Sequence, residues 1–487
     1  MGEPRVYRFG DASRPGLLLG VSARQAIPVI AGVMVLAIVL QTPVPPLVGL
    51  AGPLVGGALA FGRWRGLPLT EALVPGAGLL WRQATRTRGW ARPPLTGDNS
   101  STGLPAQLRA LELVERDGAV GVVHDRAAAT VSAVIRVRGH GFPLAAPAEQ
   151  DDLLAAWGAA LSPFAREGVP VRQIVWQEWA HPVSSDTHRV FLGGAETPAR
   201  RDDPKVADYL ALLDAQSPVT VAHDTLMTVT VDIARVRPGR TARSRLAVAV
   251  DTLIEEVRLL AGRLDAAGLE TAGPLTAVEL SAAIRMRSDP ARAALVATLA
   301  RSLAAAARRG ALEWGPMAVE AAWGHCRVDG SYHRSYRVAG WPRLPVRADW
   351  LSGLLGDAGC ARTVTVVLEP VPMGRAARSA DREVMAREAD SELKERKGFR
   401  VSARERKRLT DAERRERELS EGHAEFEFVG LVTVTAAGID ELEEGCAAVE
   451  QTAAQCLLDL RPLDARHDSA WVTALPVGRV VRPRATR

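Results

Sequence analysis

The residues that could support catalysis are few in this chain of 487 residues. A phosphate-binding loop requires a glycine-rich turn that ends in Gly-Lys-Ser or Gly-Lys-Thr, because its backbone amides and its lysine hold the phosphates. No glycine precedes any of the four lysines, which are Lys205, Lys394, Lys397 and Lys407. The serine-nucleophile motif G-x-S-x-G and the zinc motif H-E-x-x-H are missing as well. The sequence therefore predicts a protein that is not a phosphate-loop motor, with no catalytic residue and no cofactor.

The cysteines and histidines do not form a recognisable site either. Cys326, Cys360, Cys446 and Cys456 include no C-x-x-C pair and no spacing typical of a metal site. His325 stands beside Cys326, and a histidine that meets a cysteine activates the thiolate. Neighbours along a strand point to opposite faces, however. We interpret the four cysteines as core residues in a reducing compartment and predict no metal ligands.

Charged residues follow a helical pattern from Gly374 to Gly422. Acids precede bases by four residues, the favourable direction against the helix dipole, and each such pair contributes about 0.3–0.5 kcal/mol. The pairs are Glu383 with Arg387, Asp390 with Lys394, Glu392 with Arg396, Asp411 with Arg415, and Glu413 with Arg417. Gly398 ends the first helix, and the capping box Ser402-x-x-Glu405 begins the second.

These two helices contain too few large apolar residues to bury a common face, so we predict a projecting helical arm. A charged surface selects partners by its charge pattern. The alternative is a solvent-exposed insertion that binds no partner. The candidate partner-binding residues of the arm are Glu383, Arg387, Glu392, Arg396, Glu413 and Arg417.

The element around which the chain is organised is an uncharged stretch of 38 residues, Gln25 to Gly62. One bilayer crossing needs about 20 apolar residues, so this stretch is long enough for two crossings. Gln41 to Pro46 contains three prolines, which cannot continue a helix. We predict a transmembrane hairpin with helices over about 26–42 and 47–62. A cleaved signal peptide and a buried hairpin in a soluble core are the competing interpretations.

Arginines flank both ends of the hairpin, and the turn carries no charge. Because Lys and Arg stay on the cytoplasmic side, both termini are predicted to be cytoplasmic, in a bacterial cell membrane. The segment from Leu67 to Trp81 is apolar but contains Pro and Gly, so we place it along the membrane interface. The predicted interface residues are Arg24, Arg63, Trp64, Arg65 and Trp81.

Small residues recur on one face of the second predicted helix. Gly49, Gly52, Gly56 and Ala60 are separated by three, four and four residues. This is the spacing that allows two helix backbones to approach closely in lipid. We predict that this face packs against the first helix or against another subunit, although glycine is also simply common in membrane helices.

The net charge of +5 is unevenly distributed. Residues 1–100 contain ten Arg and four acids, and residues 477–487 contain four Arg and no acid, so residues 101–476 carry a net charge of −5. A body of this charge is unlike one that tracks nucleic-acid phosphates. Direct nucleic-acid binding is therefore not predicted.

Alternating β-rich and helical segments follow a polar linker at 97–103. Asp329-Gly330, between two β-rich runs, predicts a tight hairpin, and a last strand is predicted near 469–475. The fold class is α+β, with the transmembrane hairpin followed by two ferredoxin-like units. The predicted divisions are 1–96 (membrane hairpin, basic flanks and interfacial segment), 104–240 (first α+β unit), 241–310 (helical segment), 311–476 (second α+β unit with the arm at 374–422) and 477–487 (basic tail).

Short motifs along the chain resemble a family of actinobacterial membrane proteins associated with conjugative type IV secretion. They are Tyr7-Arg-Phe9, the run from Arg14 to Gln25, Trp341-Pro-Arg343, Glu369-Pro-Val371, Gly398-Phe-Arg-Val401 and Gly422-His-Ala-Glu425. The hairpin resembles the two-helix inner-membrane subunit of these machines. The body resembles the N-terminal half of the secretion ATPase, and the motor half is absent.

The resemblance implies a non-enzymatic inner-membrane scaffold for DNA transfer that holds a separate secretion ATPase and contacts other channel subunits in an oligomeric complex. Two other functions stay open. One is the two-helix membrane subunit of a type VII secretion system, and the other is a membrane-tethered enzyme without a recognisable motif.

Overall fold

The computed structural model describes residues 7, 9, 23–42, 45–64, 67–92, 103–116, 120–139, 141–182, 203–216, 221–237, 244–305, 314–356, 359–396 and 402–480. The N-terminal part contains α1 (Ala23–Val39), α2 (Pro46–Gly49), α3 (Ala51–Phe61) and α4 (Leu69–Ala84), with a ribbon of β1 (Arg63–Trp64) and β2 (Leu67–Pro68). The short strand β3 (Gly89–Ala91) then enters the large sheet.

The described part of the first α+β unit contains six strands and three α-helices. In chain order these are β4 (Leu111–Arg116), β5 (Val120–Asp125), β6 (Thr130–Arg138), α5 (Pro147–Leu161), β7 (Val171–Pro182), α6 (Pro204–Gln216), β8 (Val221–Asp232), α7 (Arg245–Ala266) and β9 (Glu270–Pro274). Two helices connect the units, α8 (Ala277–Ser288) and α9 (Ala293–Ala305).

The second unit repeats this order. It contains β10 (Ala318–Ala321), β11 (Cys326–Val328), β12 (Ser331–Gly340), α10 (Ser352–Leu355), β13 (Ala361–Val371), α11 (Met373–Arg396), α12 (Ala403–Ser420), β14 (Glu425–Ala436), α13 (Ile439–Gln455), β15 (Asp459–Pro462) and α14 (His467–Ala470). The return strand β15 pairs with β12, as β9 pairs with β6 in the first unit. The α+β class is therefore correct, and the two halves share one connectivity.

A single antiparallel sheet of 13 strands joins the described parts of both units. Its order is β3-β10-β11-β12-β14-β13-β7-β8-β6-β5-β4, with β15 and β9 beside β12 and β6. The junction is the pairing of β13 with β7, in which Arg362 lies opposite Ala180 and Leu368 opposite Ile174. The hairpin predicted at Asp329-Gly330 is present, because Val328 pairs with Ser331 and Asp329 has a φ of 50°.

Each face of the sheet has its own core. Val131, Ala133 and Ile135 of β6 face outward and pack under α7, whereas Val134 faces the inner core with α8. Helix α7 begins at Ser244, whose side chain accepts from the amide of Ala247 at 3.2 Å, as is typical of an N-cap. Its buried side recurs with helical spacing through Leu253, Val257, Leu260 and Leu264, so α7 covers the first unit.

Strands from both ends of the sheet contribute to the inner core. Leu111 of β4 and Val319 of β10 belong to the same cluster, together with Ile284 of α8 and Trp471. The sheet therefore curves around α8 and the segment that follows α14. On the outer face of the second unit, α13 packs through Leu442 and its neighbours.

One segment prediction is wrong. Residues 469–475, predicted as a strand, form the end of α14 and a 3-10 helix, Trp471–Ala474, and the last strand is β15 instead. Almost every residue from 467 to 477 is buried, and a short run that is buried on all sides has no period that separates helix from strand. Residues 67–81, predicted to lie along the membrane interface, fall mostly in one helix, α4, that contains Pro75.

Helices α1 and α3 pack against each other in opposite directions, since Pro28 meets Gly56 and Gly32 meets Gly52. Helix α1 has 17 residues and α3 has 11. Over the part of the chain that the structure describes, no helix combines the length and the apolar character that a membrane crossing requires.

Candidate functional site

The predicted glycine face of the hairpin lies at the contact between α1 and α3. A methyl group added at Gly52 would stand 2.6 Å from the carbonyl oxygen of Gly32, and one at Gly56 would stand 2.3 Å from that of Pro28. Gly49 faces Leu36 and Val39 of α1, and Ala60 is buried. The two backbones thus approach too closely for larger side chains. Gly32 takes part in this contact, although the sequence analysis did not single it out.

Replacing Gly52 and Gly56 together by isoleucine should force α1 and α3 apart. Real Cβ atoms do not approach a carbonyl oxygen at these distances, so the backbones must move and the contact must be lost. The matched control is Leu50→Ile with Leu54→Ile, because both leucines are exposed. Protease sensitivity of the 40–46 connection measures the effect, and equal sensitivity of the two double variants would show that the glycines are not required.

The predicted interface residues lie on both sides of the hairpin. Arg24 is in the first turn of α1, and Trp64 is in β1, but their side chains are not among the described ones. Arg65 lies outside the described residues. Arg63 is exposed, and Trp81 is 72% exposed on α4. Leu73, Val74 and Leu80 are also exposed apolar side chains of α4, so this helix presents an apolar surface that the body does not cover.

The opposite side of α4 is clamped to the body. Arg82 Nη1 donates to Asp468 Oδ2 at 2.7 Å, and the Asp468 side chain is 1% exposed. Leu79 is buried against Ala321 and Ala465. Because a buried carboxylate without a partner is costly, this ion pair fixes α4 to the segment that fills the inner core.

A second clamp precedes the hairpin. The backbones of Tyr7 and Val346 exchange two hydrogen bonds, at 2.8 and 2.9 Å, and the Tyr7 hydroxyl donates to Asp151 of α5 at 2.7 Å. The ring of Phe9 stacks on Trp341 at 5.3 Å and meets the edge of Trp350 at 5.2 Å. Residues 7 and 9 therefore bridge the first unit to the second. Two of the motifs that carry the family resemblance contact each other here.

The predicted arm consists of α11 and α12, which begin and end close to the expected positions. Helix α12 starts after Ser402, and Gly422 follows it with a φ of 90°, as is typical of a helix C-terminus. The expectation that the helices bury no common face is wrong at the base of the arm. Four small or branched side chains are buried there, namely Ala376, Ala380, Val384 and Ala412. Large apolar residues do not reveal this common face, because three of its four members are alanines.

The ion pairs of the arm agree with the predicted spacing in part. Glu383 with Arg387 lies at 2.6 Å and Glu392 with Arg396 at 3.5 Å. The prediction that Asp411 pairs with Arg415 is wrong, because Asp411 pairs with Arg414 and Arg415 reaches across to Glu383 and Glu425. Arg415 faces the neighbouring helix, where two carboxylates are available. Glu413 is half-buried and Arg417 is exposed on α12; the side chain of Lys394 is not among the described ones.

The strongest concentration of buried charge lies where β7, β8 and α8 meet. Arg287, whose side chain has no exposed surface, donates to Asp224 at 2.9 Å, and Arg136 donates to the other oxygen of Asp224 at 2.7 Å. The Arg287 guanidinium also lies 4.9 Å from the centre of the Trp179 ring, which stacks on His181 at 3.7 Å. No sequence signal indicated this cluster, because its members are far apart in the chain.

This cluster stabilises the fold and does not resemble a catalytic centre. Burial raises the pKa of Asp224, but the two arginines outweigh burial and hold it below its usual value. Burial, and then the charge of Arg287, lowers the pKa of His181 to about 4. Two arginines therefore hold the Asp224 carboxylate in its charged form, and the residues of this cluster include no serine, cysteine or lysine.

The adjacent pair His325 and Cys326 is not arranged for thiolate chemistry. Cys326 is fully buried, and burial raises the pKa of its thiol well above the usual value. A reactive cysteine needs the opposite shift and some exposure. Within the described ranges, no group of three or more His, Cys, Asp or Glu is placed to hold a metal ion.

A buried histidine gives the body a predicted pH dependence. His333 Nδ1 lies 2.9 Å from the Thr435 hydroxyl, and Nε2 donates to the Ser288 carbonyl at 3.0 Å. Burial lowers the pKa of His333 from 6.5 to about 4. The unfolded chain therefore binds the proton first as the pH falls, and the stability decreases between pH 6.5 and about 4.

Each such histidine should contribute a slope of at most about 1.4 kcal/mol per pH unit over this window. Chemical denaturation across the pH range measures it, and His333→Asn should flatten the curve. The control His423→Asn removes an exposed histidine. Identical slopes for the two variants would contradict a neutral His333.

Comparison of the chain with protein-family models and with curated proteins finds no match.

Proposed function

We propose that this protein is a non-enzymatic inner-membrane scaffold subunit of a conjugative type IV secretion-like system. It holds a separate secretion ATPase at the cytoplasmic face of the bilayer. The observation that carries the proposal is the double attachment of the body to the hairpin, through Tyr7 and Phe9 on one side and through Arg82 and Asp468 on the other. These contacts hold residues on both sides of the hairpin in the sequence against the body.

The sequence supports the same function. The uncharged stretch and its flanking arginines favour a transmembrane hairpin with both termini in the cytoplasm. The missing phosphate loop favours a chain that binds a nucleotide-hydrolysing partner and does not hydrolyse nucleotide itself. The resemblance to conjugative secretion proteins indicates which partner this is.

The arm is the proposed binding site for the ATPase. It extends from the ends of β13 and β14, and its described residues carry many exposed charges of both signs. Exposed charges attract a partner over a distance that salt shortens to about 10 Å at 0.1 M. The complex should therefore weaken as the salt concentration rises.

The register of the sheet allows the arm to be removed cleanly. Val371 lies directly opposite Glu425, so a two-residue Asn-Gly turn can replace 372–424 and close the hairpin. We expect the shortened protein to unfold at nearly the same denaturant concentration and to recover much less of the ATPase encoded nearby in a low-salt pull-down. Equal recovery by the full and shortened chains would exclude the arm as the binding site.

The proposed orientation has its own test. A reporter fused to the C-terminus should be cytoplasmic, and a cysteine in place of Pro45 should react with an impermeant reagent added outside intact cells. Protection of that cysteine would contradict a turn exposed on the outer side.

A further inference from the structure

The two units carry insertions at the same topological position. In the first unit, residues 183–220, with helix α6, connect β7 to β8. In the second, α11 and α12 connect β13 to β14. Both insertions present apolar side chains outside the cores.

The outward side of α11 is a basic and apolar stripe. Six exposed residues recur at intervals of three or four, namely Arg378, Arg382, Met385, Ala389, Leu393 and Arg396. Met385 is 66% exposed and Leu393 is 52% exposed. Glu392 borders the stripe and lies 3.5 Å from Arg396. Residues at this spacing share one face of a helix.

Helix α6 has the complementary character. Its exposed side includes Tyr209 and Leu212, and Asp208 next to them is also exposed. Asp203 lies before the helix and accepts from the amide of Lys205 at 3.0 Å. With Lys205, Asp208 and Asp214, the stretch 203–216 has a net charge of −2. Among the described elements, none packs extensively against α6.

The described residues of α6 and α11 do not pack extensively against each other within one chain. Strands β7 and β13 are antiparallel, so the end of β7 lies beside the start of β13. Their insertions leave the sheet at opposite ends of β13, whose 11 residues span roughly 33 Å from first to last at the rise of a strand. We infer that the arm of one copy of this chain docks on α6 of a second copy, through Arg378 and Arg382 with Asp208 and through Met385 with Leu212.

Each copy carries both surfaces, so two copies can exchange the contact reciprocally in a closed pair, or successive copies can repeat it in a ring or filament. One helix of 13 residues against one helix face buries less than the ~800 Å² per partner of a standard interface. The contact is therefore weak between isolated copies and is strengthened where other contacts hold copies side by side. The inference does not depend on the proposed function, since it involves only this chain.

Paired cysteines test the docking directly. Two differently tagged full-length chains, one with Leu212→Cys and one with Met385→Cys, are co-expressed and oxidised in cells. We expect a disulfide-linked product that contains both tags, because a disulfide needs Cα atoms within about 7 Å. The control replaces Met385→Cys by Thr410→Cys, an exposed position on α12. The unsubstituted chain gives the background from the four native cysteines.

Charge-reversal variants distinguish specific docking from random encounters that also form a disulfide. Arg382→Glu in the Met385→Cys chain should lower the yield of the mixed product about fivefold, the equivalent of about 1 kcal/mol, and Asp208→Arg in the other chain should restore it. Absence of the mixed product, an equal yield with the Thr410→Cys control, or linkage of Leu212→Cys chains to each other alone would overturn the inference. An ATPase pull-down with the Asp208→Arg chain should be unchanged, which distinguishes failure of docking from failure of the proposed function.

Discussion

Replacing Trp471 by alanine is expected to lower the free energy of unfolding by about 3–5 kcal/mol. The Trp471 side chain is fully buried in the inner core. It packs among residues from both ends of the curved sheet, including Leu111 and Val319. The substitution leaves a cavity at the point where the two units, α8 and the C-terminal segment converge.

Denaturant titration of the full chain in detergent measures this loss. Trp81→Ala is the matched control, because Trp81 is exposed and its removal creates no cavity. A difference below about 1 kcal/mol between the two variants would contradict a continuous inner core, since exposed sites rarely exceed about 0.5 kcal/mol.

The second large effect is expected for Arg287→Ala, at about 3–5 kcal/mol. The substitution leaves the Asp224 carboxylate, 17% exposed, paired with Arg136, and removes the guanidinium from the face of Trp179. Replacing one member of a buried ion pair is costly because the other charge stays buried without full compensation. Arg292→Ala, which removes a half-exposed arginine nearby, should cost far less.

The pH dependence of stability tests the role of the ion pair between Arg287 and Asp224. The pKa of Asp224 is below its usual value of 3.8 in the folded protein, so the ion pair contributes stability above that pH and loses it as the pH falls through the lower folded value. The double variant Arg287→Met with Asp224→Leu should recover part of the loss, because neither charge is then buried alone. A double variant no more stable than Arg287→Ala would indicate that packing on Trp179 dominates.

Local patterns predicted the strands and helices of the body well. Alternation in Met227–Val231, the turn at Asp329-Gly330 and the charge spacing of the arm each depend on residues close in sequence, and the structure has the expected elements there. The strand predicted at 469–475 was wrong, because residues that are buried on all sides show no hydrophobic period that distinguishes a strand from a helix.

Long-range features were beyond the reach of these patterns. The pairing of β7 with β13 joins residues that are far apart in sequence, since Arg362 pairs with Ala180 and Leu368 with Ile174. The charge cluster at Arg287, the clamp between Arg82 and Asp468, and the salt bridge from Arg415 to Glu383 depend likewise on partners that only the fold brings together. The tail shows the same limit, because Arg479 pairs with Asp125 in the body.

The most direct test of the proposed scaffold is nucleotide hydrolysis by the purified full-length chain, alone and together with a secretion ATPase from the same organism. We expect no turnover by the chain alone and a stable complex with the ATPase at low salt that dissociates as salt rises. Robust hydrolysis by the chain alone, or no complex at low salt, would contradict it.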